Sequence, residues 1–281
     1  MWGVIYVLPW LIGFVLFFFI PLLASLRYSM STIQANAEGI AIQFTGVANY
    51  IQALTVNTSF NRALIESITD VLVNVPLIVI FSLFLAVILN QKFRGRAIAR
   101  SIFFLPVILA SGVIMSLEST SLIDAVNQNS TGGSALGTFE LENLMLDAGV
   151  SEWIVTYLSN AVDRIYQIVS QSGVQILIFL AGIQTISPQL YEASKMEGAT
   201  GYEAFWKITF PMVSPLIFVN AIYTIIDSFA NNAMTELIRD TGFVKFDFGL
   251  SSAMAWVYFL AIAIILVIVS MIFSKRVFYQ D

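Results

Sequence analysis

The chain of 281 residues contains no cysteine and no histidine, and only 11% of it is charged. Without cysteine there are no disulfides, no thiolate chemistry and no thiolate-held metal. Without histidine, the commonest neutral metal ligand and the commonest general base near pH 7 are missing too. Asp, Glu, Lys, Ser and Tyr remain, so composition alone does not exclude catalysis, but the prior for it falls and no metal site is expected. A soluble domain carries about 25% charged residues. The shortage here accompanies a hydrophobic content of 58%, which points to a chain whose solvent is largely lipid.

What is present is a series of long apolar runs. A helix needs about 20 residues to cross the hydrocarbon core. Six runs meet that length or approach it: 4–26, 70–90, 101–119, 167–186, 212–232 and 252–274. The first is longer than the apolar part of a signal peptide and follows no basic leader. It reads as a span entered almost at once, from a short natural terminus or a trimmed one. The expected fold is therefore an all-α polytopic membrane protein, one transmembrane domain over 1–281 with six spans.

Charge orients the spans. Between the second and third lie Lys92, Arg94, Arg96 and Arg100 with no acid, and the C-terminal tail carries Lys275 and Arg276. Lys and Arg concentrate on the cytoplasmic side, so both termini and the segment 187–211, with Lys195 and Lys207, are expected inside. The loop 120–165 then falls outside. From Thr120 to Asp163 it carries acids and no base. Within it, 127–137 reads as coil and 139–149 as a short helix ended by Gly149. Trp153, Tyr157 and Leu158 follow on one face of an amphipathic helix, as aromatic residues at a membrane interface do. This part is either a cap on the bundle or a docking surface for an extracellular partner.

The segment 187–211, SPQLYEASKMEGATGYEAFWKITFP, is polar between apolar neighbours. Ser187 and Pro188 mark a helix start, and Gly198 suits the left-handed residue that ends it. Thr200 and Glu203 match a capping box for a second helix, and Pro211 closes or kinks that helix into the fifth span. Local signals leave two readings open: a pair of interfacial helices, or a compact knob that transmits force to another subunit.

The pattern E-A-S-x-x-E-G-A at 192–199, followed by I-T-F-P at 208–211, resembles the EAA loop of inner-membrane permease subunits of binding-protein-dependent ABC importers. LAVILNQKFRGRAIARSIFFLPVI at 85–108 and LIFLAGIQTISPQLYEASKMEGA at 177–199 are similar to the carbohydrate-uptake class. The likeness extends over roughly 70–275. It implies a coupling helix seated in a groove of a cytoplasmic ATPase, with Glu192 as the acidic contact, Gly198 as the turn, and Ala193, Glu197, Ala199 and Pro211 completing the motif. Ser194 stands where Ala is usual and Glu197 where Asp is preferred.

The same resemblance implies a bacterial or archaeal cytoplasmic membrane, a second permease chain, two ATPase subunits and an extracytoplasmic solute-binding protein. Nucleic acid is not an expected partner. No G-x-x-x-x-G-K-[ST] occurs, so no phosphate loop is present. No cofactor is expected on this chain, and ATP and Mg belong at the partner ATPases.

For a sugar, the polar residues within spans are the candidates: Gln175, Asn220, Tyr223, Thr224, Asp227 and Asn231. Asn220, Tyr223 and Asp227 recur at spacings of three and four, on one helix face. Such groups avoid lipid and face protein or water, so they either pack between helices or line a pathway. Asp227 also leaves room for an ion-coupled secondary transporter, and a non-transporting scaffold is a third reading.

Overall fold

The computed structural model describes residues 2–36, 39–91, 94–98, 100–102, 145–146, 149–230 and 232–274. All but the first two residues of the third expected span, 101–119, and most of the outer loop lie outside these residues. The described chain is mainly helical, with one two-stranded antiparallel sheet.

Helix α1 (Trp2–Phe14) continues through a wider, π-helical turn, Val15–Phe19, into α2 (Ile20–Ser29). Nearly every side chain from Tyr6 to Pro21 is exposed, which suits a helix surrounded by lipid rather than water. A hairpin follows, β1 (Ser31–Asn36) and β2 (Gly39–Phe44), pairing Ser31 with Phe44 and Asn36 with Gly39. Then come the short α3 (Ala48–Ile51) and a second π-helical turn, Gln52–Val56.

Helix α4 (Thr58–Asn90) contains the expected span 70–90 but begins twelve residues earlier. Its 33 residues reach about 50 Å at 1.5 Å per residue, well beyond a hydrocarbon core of about 30 Å. The extra turns carry an exposed ion pair, Arg62 to Glu66 at 2.8 Å. Hydropathy marks the lipid-crossing part of a helix and is blind to such a polar extension.

The expected span 167–186 differs more. Helix α5 (Glu152–Gln171) already includes Trp153, Tyr157 and Leu158, all exposed, and continues to Ser172. There the chain bends by 50° into α6 (Gly173–Thr185). The amphipathic segment and the apolar one thus form a bent pair, not an interfacial helix followed by a straight span. Just before it, Gly149 takes φ +80°, and Val150 N–H donates to the Met145 carbonyl at 3.1 Å.

Next come α7 (Pro188–Met196), α8 (Gly201–Ala204), a third π-helical turn at Phe205–Thr209, and α9 (Phe210–Ala230). Helix α10 (Ala233–Phe243) and α11 (Phe248–Ser274) complete the described chain. Among the described residues four helical runs are long and apolar enough to cross a membrane, or five if α5 and α6 count as one broken span.

The chain forms two compact units. One comprises Met1–Val73 with Ile225–Arg276, the other Asn74–Thr224 with Val277–Asp281. In the first, α11 packs on α2, α10, α3 and β1. Buried Asn49 donates from Nδ2 to the carbonyls of Ser29 and Ser31, both at 3.0 Å, tying α3 to the chain between α2 and β1. Asn232 hydrogen-bonds Tyr258, whose ring stacks on Phe229.

The second unit is built on Ile78, Ile176, Phe179, Ile183 and Val213, all buried. Ser82 reaches the Ser172 carbonyl at 3.4 Å, at the bend between α5 and α6. In lipid such cohesion comes from close packing and interhelical hydrogen bonds, since the surrounding tails are as apolar as the core.

Candidate functional site

The segment 187–211 is shaped by hydrogen bonds between near neighbours. Helix α7 opens on Ser187-Pro188 and ends at Gly198, which takes φ +82°. Ala199 N–H donates to the Ser194 carbonyl at 2.9 Å and Gly198 N–H to that of Lys195 at 3.0 Å. This paired bonding is the Schellman ending, and it requires the left-handed conformation that glycine adopts freely.

Two residues on, the capping box is complete. Thr200 Oγ1 accepts from Glu203 N–H at 3.3 Å, and Glu203 Oε2 accepts from Thr200 N–H at 2.9 Å. The turn between α7 and α8 is therefore held from both sides. Pro211 does not break the helix that follows. The π-helical turn places Phe210 N–H on the Phe205 carbonyl, and this wider turn joins α8 to α9 just before the proline.

Helix α8 and its first polar turn lie outside the apolar part of α9. There the Glu203 carboxyl is held below its usual range, first by the Thr200 N–H, then by the Thr200 hydroxyl, then by Lys207. A carboxyl with a depressed folded pKa contributes stability above its unfolded pKa and loses it as pH falls through the folded one. Wild type should therefore exceed Glu203→Gln in thermostability at pH 7, with the difference vanishing in acid. Glutamine can still complete the box, so a difference independent of pH would show that the charge contributes nothing.

The sequence-expected motif residues present themselves together. Glu192, Ala193, Glu197 and Gly198 are exposed, and Ala199 and Pro211 are half-buried. Met196 is 90% exposed on the last turn of α7. It was not among the expected site residues, although its helical spacing from Leu190 and Ala193 was visible. Tyr202 and Trp206 are exposed as well, so the knob carries several outward apolar side chains. Clefts flank the knob. One of about 360 Å³ is lined by Glu197, Gly198, Glu203 and Lys207. Another of about 530 Å³ is lined by Arg96, Arg100, Glu192 and Lys195.

The expected pathway residues separate by environment. Gln175, Asn220 and Thr224 are buried side by side. Gln175 Nε2 donates to Thr224 Oγ1 at 2.9 Å, and Thr224 Oγ1 donates to the Asn220 carbonyl at 2.7 Å. The Asn220 amide and Gln175 Oε1 are buried without hydrogen-bond partners among the described residues. Tyr223 is 38% exposed and Asp227 is half-buried. Asn231 lies outside the described residues. Its neighbour Asn232 caps α10, accepting from Thr235 N–H at 2.9 Å. Among the described residues no cluster of acidic side chains is arranged to hold a metal ion.

Residues 50–280 match the family described as the binding-protein-dependent transport system inner membrane component. The chain belongs to that family. The match spans α7, the turn at Gly198 and all six pathway candidates.

Among relatives, the probable ABC transporter permease protein YesP of Bacillus subtilis strain 168 is 29% identical, covering 99% of this chain and 92% of YesP. The multiple sugar-binding transport system permease protein MsmF of Streptococcus mutans is 27% identical, over 95% and 93% of the two chains. The sn-glycerol-3-phosphate transport system permease protein UgpA of Agrobacterium fabrum is 26% identical, over 97% and 94%. A chain of a bacterial alginate ABC transporter, solved in complex with an alginate pentasaccharide-bound periplasmic protein, has the same fold. Its TM-score is 0.64 at 17% identity, over 98% of this chain and 95% of that one. The present chain is a permease component of the multi-pass membrane kind, and the ATP-hydrolysing step belongs to separate subunits.

Proposed function

We propose that this chain is a permease subunit forming part of the pathway for ATP-driven uptake of a sugar or oligosaccharide across a bacterial or archaeal cytoplasmic membrane. The observation that carries the reading is the exposed knob at 187–211, held by the Gly198 turn and the Thr200–Glu203 box. It sits inside a chain whose family is that of importer membrane components. The names of MsmF and UgpA, one for multiple sugars and one for glycerol-3-phosphate, support a carbohydrate or a related polyol phosphate as cargo.

In this reading the chain spans the membrane six times with both termini inside. The knob then faces the cytoplasm and seats on one of two ATPase subunits, which bind ATP and Mg. Glu192 makes the charged contact and Met196 the apolar one, both on α7, and Gly198 fixes the angle between α7 and α8. A second permease, a related but different chain, completes the pathway, and a solute-binding protein delivers the sugar from outside. Tyr223 and Asp227 offer surface to a sugar. The enclosed Gln175, Asn220 and Thr224 hold the polar interior of their unit, and Asn231 belongs to the same set by sequence.

Reconstitution into proteoliposomes with the ATPase subunits and the binding protein tests the reading. Sugar uptake and sugar-stimulated ATP hydrolysis, both lost when any component is omitted, are expected. Uptake driven by an ion gradient without ATP would overturn the proposal in favour of a secondary transporter. Correct assembly with no response to any sugar would leave the carbohydrate assignment without support.

A further inference from the structure

We propose that the open cleft of about 530 Å³ beside α7 binds a phosphate-type anion, carried by an anionic phospholipid headgroup or present as free phosphate. Its cationic side is formed by Arg96 and Arg100, from the segment after α4, and by Lys195 of α7. Two stretches of sequence almost a hundred residues apart thus bring three positive charges to one cavity, against a single lining carboxylate, Glu192. Among the described residues none of the three cations lies within salt-bridge distance of a carboxylate. Like charges gathered in this way are stabilised by a counter-anion, and two guanidiniums with an ammonium match the several oxygens of a phosphate.

Arg100 is already fixed in place. Its Nη2 donates at 3.0 Å to the carbonyl of Leu89, one of the orphan carbonyls at the end of α4. Among the described residues its Nε–H is buried without an acceptor. Leaving such a donor unmet is unfavourable, and an anion oxygen in the cleft is the kind of acceptor it lacks. The remaining wall is partly apolar, with Ile183, Ile186 and Tyr191. Cations beside an apolar wall suit an amphiphile.

The cleft also lies where two apolar helices end, at Asn90 of α4 and just beyond Thr185 of α6. That is the depth of a lipid headgroup. The site therefore depends on the chain's membrane placement but not on its cargo, and its test is a binding measurement separate from transport.

The experiment uses the full chain purified in detergent, with bound lipid counted by native mass spectrometry. Phosphatidylglycerol and phosphatidylcholine are the lipid probes, and inorganic phosphate is the competitor. Wild type is expected to retain phosphatidylglycerol in preference to phosphatidylcholine. Arg96→Gln with Lys195→Gln should weaken that retention by about tenfold or more, since charge-assisted hydrogen bonds are lost. Arg100 is left in place because it holds the end of α4. Glu192→Gln should tighten retention severalfold, a change of opposite sign that misfolding does not produce.

Displacement by millimolar inorganic phosphate would assign the site to the anion itself, and persistence would assign it to the lipid. Equal retention of the two lipids, or retention unmoved by the substitutions, would overturn the proposal. So would a double variant that keeps its lipid but fails to bind ATPase subunits added to the purified chain, when the wild type binds them, which would make the cleft a protein interface.

Discussion

Replacing Gly198 with valine should uncouple ATP hydrolysis from sugar uptake while leaving the chain in the membrane. Gly198 takes φ +82°, and a Cβ built there would meet nothing within 4 Å. The substitution therefore makes no clash with a neighbour, and its cost lies in the backbone. An L-residue in the left-handed region pays about 1–2 kcal/mol, more when it is β-branched. The turn has few ways to resist. Its restraints are the bonds from Gly198 and Ala199 back to Lys195 and Ser194, and the Thr200–Glu203 box. Extending α7 by one residue turns the chain that leaves it by about 100° around the helix axis, which would swing α8 out of its place relative to Glu192 and Met196 and spoil the fit of the knob on the ATPase.

Sugar uptake should fall at least tenfold, with ATPase subunits either released or hydrolysing ATP without transport. Yield and membrane insertion of the chain should change little, because the turn lies outside both cores. The series is ordered by tolerance of positive φ. Asparagine should be mildest, alanine intermediate and valine most severe. Wild-type uptake by the valine variant in a fully assembled complex would remove the coupling role from this turn.

The helix ends were legible in the sequence because their chemistry is local. Gly149 and Gly198 both take positive φ where each was expected to end a helix, and the capping box joins residues three apart. Apolar runs were legible for the same reason, as composition summed over a window. What escaped the reading depends on partners far along the chain. The hairpin at 31–44 is stabilised by pairing, and Asn49 ties it in from five or more residues beyond its end.

The bend at Ser172 falls on a Ser-Gly pair, a local breaker signal, but the contact that Ser82 makes with the Ser172 carbonyl comes from ninety residues away. Nothing near Ser172 announces that bond. The pathway candidates show the limit most directly. Spacing puts Asn220, Tyr223 and Asp227 on one face of α9, yet Asn220 is fully buried and Tyr223 is exposed. Helical periodicity gives the direction of a side chain, and the neighbouring helix decides what it meets. Here that neighbour is α6, which places Gln175 beside Thr224.

Gly249→Ala should destabilise the chain, although helix propensity alone favours the opposite sign. In an open helix, alanine gains up to about 1 kcal/mol over glycine. At Gly249, near the start of α11, an added Cβ would lie 2.3 Å from the backbone oxygen of Ser31 and 3.0 Å from Asn49 Nδ2. The first contact is with main chain, which cannot swing aside as a side-chain tip can. That same Ser31 oxygen accepts one of the two bonds from Asn49. Moving it strains the start of β1 and threatens a buried amide donor. Overpacking costs about 1–3 kcal/mol, and an unmet buried donor costs about as much again.

The balance is a net loss of roughly 1–5 kcal/mol once the propensity gain is set against these costs. The effect should appear as a lower melting temperature and aggregation on gel filtration of the purified chain. Gly13→Ala is the control, since a Cβ there meets nothing within 4 Å on a helix of the same unit. It should be neutral or slightly stabilising. Equal stability of the Gly249→Ala and Gly13→Ala proteins would mean that α11 and β1 do not approach as closely as the geometry has them. Opposite signs for the same substitution in two helices of one unit would identify backbone approach, and not helix propensity, as the reason for glycine at 249.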